Sequence, residues 1–260
     1  MVRRLLAELI GTALLVLFGA GSVVAALLAG GGTVDYPALG MVALAFGLII
    51  AIVIYALGTT SGAHINPAVT VSLAVVRRFP WREVPAYVVA QLAGAVLGGL
   101  LIVAMFGTRA TDLGGVGSTV LADGTGYLRG MVAEAIGTFA LLFTIMALAV
   151  DRRAPTGWAG LIIGLAVTVD ILVLGPLTGA SMNPARTLGP YLTNTLFGGS
   201  TPWADFWAYV IGPLVGGAFA AVVYDLVARP EREVPPQVPQ GAEGAIRGRR
   251  VHGDQLAEGR

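Results

Sequence analysis

The chain has 260 residues, 56% of them hydrophobic and only 12% charged, with a mean hydropathy of +0.80 and a formal net charge of +1. Soluble domains carry about 25% charged residues, so this composition excludes a water-soluble globular protein and points to a multi-pass membrane protein. The lack of cysteine excludes disulfides and thiolate metal sites. A net charge near zero with no basic stripe excludes a nucleic-acid binder.

A helix that crosses a bilayer needs about 20 mainly apolar residues. Residues 5–28 supply the first. Its basic start imitates a signal peptide, but the apolar run is too long, no cleavage site is evident, and similar spans come after it. The second span covers 38–58. The phrase GAHINPAV at 62–69 comes next and opens a short segment over 66–76. Spans over 83–106, 127–149 and 158–175 come after it. The phrase GASMNPAR at 179–186 then opens a second short segment over 184–194, and the last span covers 203–228. The short segments cannot cross a bilayer, yet they are poor in charge and flanked by spans. From about residue 231 the chain turns rich in Pro, Gly and charge, which predicts a disordered tail over 231–260 behind a channel domain over 1–230.

Arginine sets the orientation, because cytoplasmic loops collect it. With the N-terminus inside, Arg3, Arg4, Arg77, Arg78, Arg82, Arg152, Arg153 and the arginines from Arg229 onward are cytoplasmic, against Arg109 and Arg129 outside. The tail reads as a solvated cytoplasmic segment without activity of its own, with contact between its arginines and anionic headgroups as the alternative.

Three echoes divide the channel region into halves, about 1–110 and 125–230. Ala7–Thr12 matches Ala133–Thr138, Asn66-Pro67-Ala68 matches Asn183-Pro184-Ala185, and Ala86-Tyr87-Val88 matches Ala208-Tyr209-Val210, at offsets of 126, 117 and 122 residues. Each half holds three spans, so the second enters the membrane from the opposite side. Such inverted repeats place their binding site at the repeat interface near the midplane. Gly94-x-x-x-Gly98 and Gly212-x-x-x-Gly216 lie on corresponding spans and favour close helix contacts.

Asn is a strong N-cap and Pro suits the first helical position, so Asn66-Pro67 and Asn183-Pro184 each read as a helix start. Ala68 and Ala185 are small enough for the two starts to touch. The stretches Gly62–Ile65 and Gly179–Met182 are then non-helical, which membrane depth tolerates only where the backbone is packed in protein or lines water. Two half-helices pointing positive ends at one midplane point suit a single file of small uncharged solute and repel cations. Arg186 at this depth needs a wet cavity or acceptors. It reads as a pore-lining donor and cation barrier, with a structural ion pair to Asp170 or Glu134 as the alternative.

The doubled NPA phrase, the AEhhGT openings around Glu8 and Glu134, and GAHxNPAV at 62–69 resemble the aquaporin and glycerol-facilitator family, the major intrinsic proteins, over about residues 5–228. The resemblance implies an all-α membrane fold of six transmembrane helices and two re-entrant half-helices in an inverted repeat, N-in and C-in. It also implies a homotetramer with one pore per protomer, residing as a multi-pass protein in the cell or plasma membrane. Glu8 and Glu134 are expected to brace the two loops by accepting backbone N–H bonds, as a carboxylate buried in a span requires. His64 falls at the cytoplasmic pore mouth. The family's filter maps onto Phe46, Ile171, Ala180 and Arg186.

Water channels of the family usually carry His at the Ile171 position, and glycerol facilitators a small residue, so the filter is expected to be less polar than that of a strict water channel. Thr187, the short stretch from Arg186 to Gly212, and Tyr209 lean to the water side, whereas Gly175–Gly179 resembles the facilitators. Asp170 has no place in the pattern, and a hydrogen bond to Thr168 is one reading of it. The expected function is a passive channel for water and other small uncharged solutes, excluding protons and ions, with no cofactor or metal. A glycerol, gas or metalloid facilitator on the same fold is the alternative, and a coupled secondary transporter a more distant one. No nucleophile–base pair supports an enzyme.

Overall fold

A computed structural model describes residues 1–228, and the expected tail over 231–260 lies outside the described residues. Six long apolar helices form the bundle: α1 (Val2–Ala29), α2 (Tyr36–Ser61), α4 (Trp81–Phe106), α5 (Tyr127–Val150), α6 (Ala159–Thr178) and α8 (Trp203–Val227). Two short helices, α3 (Pro67–Val75) and α7 (Pro184–Leu196), lie between them at the two NPA phrases. The starts obey local chemistry. Asp35 caps α2 by accepting from the Ala38 N–H at 2.9 Å. Asn66 and Asn183 cap α3 and α7 in the same way, each succeeded by Pro where a missing N–H does no harm. Both α2 and α6 end on a left-handed glycine, Gly62 (φ 91°) and Gly179 (φ 74°), which turns the chain back toward the bundle interior.

Glycine decides which helices touch. On α4, an added Cβ at Gly94 would strike the Leu9 carbonyl of α1, and on α8 one at Gly216 would strike the Ala135 carbonyl of α5. Leu9 and Ala135 are repeat equivalents, so Gly94 corresponds to Gly216, in keeping with the 122-residue offset between Ala86-Tyr87-Val88 and Ala208-Tyr209-Val210. Gly98 and Gly212 abut Ala13 and Met131 on the same two seams. The halves cross where Gly47 of α2 and Gly164 of α6 lie carbonyl against Cα, with Thr168 Oγ1 placed to donate to the Ala43 and Gly164 carbonyls, each at 3.2 Å. Gly189 of α7 seats against Ala95 of α4, and Gly217 of α8 against Ser72 of α3, so each short helix docks on a long helix of the other half.

Large apolar side chains face outward along every span, among them Phe18, Leu48, Ile52, Val173 and Phe219, all more than half exposed. Buried positions instead carry a polar set that includes Glu8, Gln91, Glu134, Asn66, Asn183 and Arg186. That inversion of the soluble pattern suits a bundle whose exterior meets hydrocarbon and whose interior lines a polar path.

Candidate channel site

The two loops before α3 and α7 alternate backbone conformation. Ala63 (φ 47°) and Ile65 (φ 44°) in one loop, and Ala180 (φ 46°) and Met182 (φ 52°) in the other, occupy the left-handed region that L-residues avoid. Such strain persists only where the surroundings over-determine it, and here a buried carboxylate does so on each side. Glu8 Oε1 accepts from Ser61 Oγ at 2.7 Å and the His64 N–H at 2.9 Å, and its Oε2 from the Ile65 N–H at 2.7 Å and Gln91 Nε2 at 2.8 Å. Glu134 Oε1 accepts from Thr178 Oγ1 at 2.6 Å and the Ser181 N–H at 2.9 Å, and its Oε2 from the Met182 N–H at 2.6 Å. Tyr87 and Tyr209 repeat the symmetry, donating to the Ser61 and Thr178 carbonyls at 2.9 and 2.8 Å.

The loops meet at the asparagines. Asn66 Nδ2 donates to the Met182 carbonyl and Asn183 Nδ2 to the Ile65 carbonyl, both at 2.8 Å. Each Oδ1 turns to its own helix, Asn66 accepting from the Ala68 N–H at 2.8 Å and Asn183 from the Ala185 and Arg186 N–H groups at 3.0 and 3.2 Å. Pro67, Ala68, Pro184 and Ala185 are buried at this junction.

On one side of the asparagines lies a cavity of about 400 Å³ whose lining includes His64, Ile54, Leu73, Arg78, Ile145 and Arg152. His64 Nδ1 is 3.1 Å from Thr70 Oγ1, and its ring stacks edge-on with Phe79 at 4.9 Å. Beyond the asparagines a cavity of about 30 Å³ is lined by Phe46, Ala180, Arg186, Ser181 and Met182. Leu15, Ile50, Asn66, Leu141, Val167 and Asn183 line both, so the two are contiguous. The narrow part has room for on the order of one or two waters.

Arg186 is 3% exposed. Its Nη1 donates to the Gly117 carbonyl at 2.9 Å, its guanidinium lies 4.9 Å from the Phe46 ring centroid, and its Nε has no hydrogen-bond partner in the protein. It therefore meets a loop carbonyl and an aromatic face, not the carboxylate of Asp170 or Glu134. Ile171 is buried on α6 one turn from Val167 but is not among the residues lining the narrow cavity. Asp170 is buried with Oδ2 unpartnered, and Thr168 bonds to backbone carbonyls instead of to it. Nothing in the structure explains Asp170.

Several participants escaped sequence reasoning. Gln91 is a lone amide in an apolar span, a visible signal once a buried polar side chain is required to have partners. Gly117, Leu15, Ile50 and Leu141 carry no local mark. Nor does the hydroxyl pair of Ser181 and Thr187, 2.6 Å apart and repeat-equivalent to His64 and Thr70.

The family model described as major intrinsic protein matches residues 1–224 of this chain. The chain belongs to the major intrinsic protein family. Curated relatives similar to it include Aquaporin AqpM from Methanothermobacter marburgensis, 48% identical over 237 residues covering 86% of this chain and 96% of the relative. Probable aquaporin AqpM from Archaeoglobus fulgidus is also 48% identical, over 245 residues covering 88% of this chain and 98% of the relative. Among solved structures the fold is similar to the aquaglyceroporin from Plasmodium falciparum, with a TM-score of 0.79 and 26% identity over 88% of this chain and 97% of that one. As a major intrinsic protein with six apolar spans, the chain is an integral, multi-pass membrane channel and not an enzyme.

Proposed function

We propose that this major intrinsic protein is a passive channel whose path runs from the wide cavity beside His64, between Asn66 and Asn183, to the constriction beside Arg186. It passes water together with other small neutral solutes and excludes protons and ions. The observation that carries the reading is the hydrogen-bond state of the two asparagines. Each Oδ1 is taken by its own helix, and each Nδ2 gives one hydrogen to the opposite loop, so one N–H per asparagine remains. A water between them meets donors and two positive helix ends, presents its oxygen to both, and breaks the donor–acceptor chain along which a proton hops. Arg186 adds a fixed positive charge at the narrowest point.

Phe46, Ile171, Ala180 and Arg186 form the filter in this reading, with three apolar walls and one donor wall. That composition favours solutes with an apolar face and a polar edge, and it supports passage of molecules such as glycerol beside water. Glu8 and Glu134 brace the loops, and His64 marks the wide mouth. The arginines that line this mouth, Arg78 and Arg152, support a cytoplasmic position for it, with both termini inside and α3 and α7 re-entering from opposite faces. Four copies assemble, each with its own channel, and an outward apolar groove of about 630 Å³ between α1, α2 and α4, lined by Phe18, Leu48, Ile52 and Met105, offers a seat for a neighbouring copy.

Stopped-flow shrinkage of proteoliposomes tests the proposal. Water flux well above that of empty vesicles, recovery on glycerol, and an unchanged internal pH dye signal are expected. Flux equal to that of empty vesicles despite folded protein overturns it. Solute accumulation under an imposed pH gradient would instead favour coupled transport.

A further inference from the structure

α1 is not a uniform helix. Over Leu15–Ala20 it widens into a π-helical turn, a form that inserts a residue per turn and re-aims the side chains after it. The Gly21 N–H closes the turn onto the Phe18 and Val16 carbonyls, and Ser22 Oγ donates to the Gly19 carbonyl at 2.6 Å.

The widened turn backs the constriction. Gly19 lies flat against Phe46, so that a Cβ there would strike the ring edge and fall 2.9 Å from its Cζ. The next residue, Ala20, is fully buried, and its carbonyl meets Gly117, where a Cβ would strike that oxygen. Gly117 passes the contact on, because its own carbonyl accepts from Arg186 Nη1 at 2.9 Å. Val116 beside it is a fully buried β-branched residue held at φ 60°, a conformation that persists only where neighbours enforce it. Arg186 closes the circuit over the Phe46 ring.

We infer that the π turn Leu15–Ala20 is a positioning wall for the filter. Gly19 sets how far the Phe46 ring stands into the path, and Ala20, through Gly117, sets where the Arg186 guanidinium rests. The aperture for glycerol-sized neutral solutes is thus fixed from α1, none of whose residues is among the four filter positions. The inference rests on the filter reading of Phe46 and Arg186 proposed above.

The readout is the ratio of glycerol to water permeability in proteoliposomes, which a merely structural defect does not move because it lowers both fluxes together. Gly19→Ala pushes the Phe46 ring inward and is expected to lower the ratio about tenfold, the scale on which one added methylene changes discrimination in an apolar pocket. Gly21→Ala, whose nearest new contact is Ile102 at 3.5 Å, is expected to leave the ratio unchanged. Phe46→Leu alone should raise the ratio, and Gly19→Ala combined with Phe46→Leu should restore glycerol passage relative to Gly19→Ala. Should Gly19→Ala alone fail to fold, the comparison moves to the Phe46→Leu background, where adding Gly19→Ala must lower the ratio. If Phe46→Leu raises the ratio while Gly19→Ala leaves it at the parent value in either background, the filter reading stands and the role of α1 is overturned. If Phe46→Leu itself changes nothing, the filter reading fails and this inference with it.

Discussion

Asn66 and Asn183, 117 residues apart, each donate a side-chain N–H to the loop that carries the other, at the same distance of 2.8 Å. The pair joins two strained loops back to back and sets two helix N-termini at one point. Each asparagine turns its Oδ1 to its own helix as an N-cap, Asn183 accepting two N–H bonds and Asn66 one.

Replacing either asparagine by alanine is expected to destabilise the fold, and more so at 183, where two N–H groups lose their acceptor, than at 66, where one does. Each change removes a cap, worth about 0.5–2 kcal/mol, and strands a buried loop carbonyl, worth about 1–3 kcal/mol. Thermal unfolding of Asn66→Ala and Asn183→Ala in detergent measures this. A larger drop in midpoint for Asn66→Ala than for Asn183→Ala would contradict this.

The two bracing carboxylates differ in load. Glu8 receives four donors, two on each oxygen, whereas Glu134 receives three, with the Met182 N–H alone on Oε2. A glutamine at 134 strands one N–H, at about 1–3 kcal/mol. At position 8 its amide nitrogen faces two donors whichever way it turns. Glu8→Gln should thus unfold at a lower temperature than Glu134→Gln, read from the same melts with flux per folded protein as a second measure.

Arg186→Val removes the fixed charge and the contact over Phe46, a cation–π interaction worth about 0.5–2 kcal/mol. Proton or cation leak above that of the parent is expected in vesicles carrying a pH-sensitive dye. Ile171→His should shift the opposite property, lowering glycerol passage relative to water. An unchanged ratio would remove Ile171 from the filter, in keeping with its absence from the lining of the narrow cavity.

Outside the spans, Asp151 anchors the loop after α5. Arg153 Nε and Nη2 donate to it at 2.9 and 2.5 Å, and Tyr224 OH at 2.9 Å. The Arg153 hydrogen bonds hold the Asp151 carboxyl well below the usual carboxylate range. A depressed folded value means that the anchor is complete above the unfolded value, about 3.9, and is lost only as pH falls through the lower folded one. Asp151→Asn should therefore speed proteolysis of the 151–158 loop by the same factor at about pH 5 and about pH 8. A factor that shrinks markedly at the lower pH would contradict this.

Local chemistry alone determined much of this protein. Apolar run length marked six spans within a few residues of their observed ends, and Asn-Pro marked the starts of α3 and α7. Both signals act through a residue and its immediate neighbours. The repeat identified Glu8 with Glu134 and Tyr87 with Tyr209 because those pairs keep their spacing within each half. Tertiary structure decided the rest. That Gly94 seats on the Leu9 carbonyl, that Arg186 bonds to Gly117 and not to a carboxylate, that Gln91 joins Glu8, and that α1 carries a π turn behind Phe46 all depend on which backbones abut. Those contacts join residues tens of positions apart, and many of them run to backbone carbonyls, which every residue has. No local period or residue type records which carbonyl will be met, so only the packed bundle specifies the aperture.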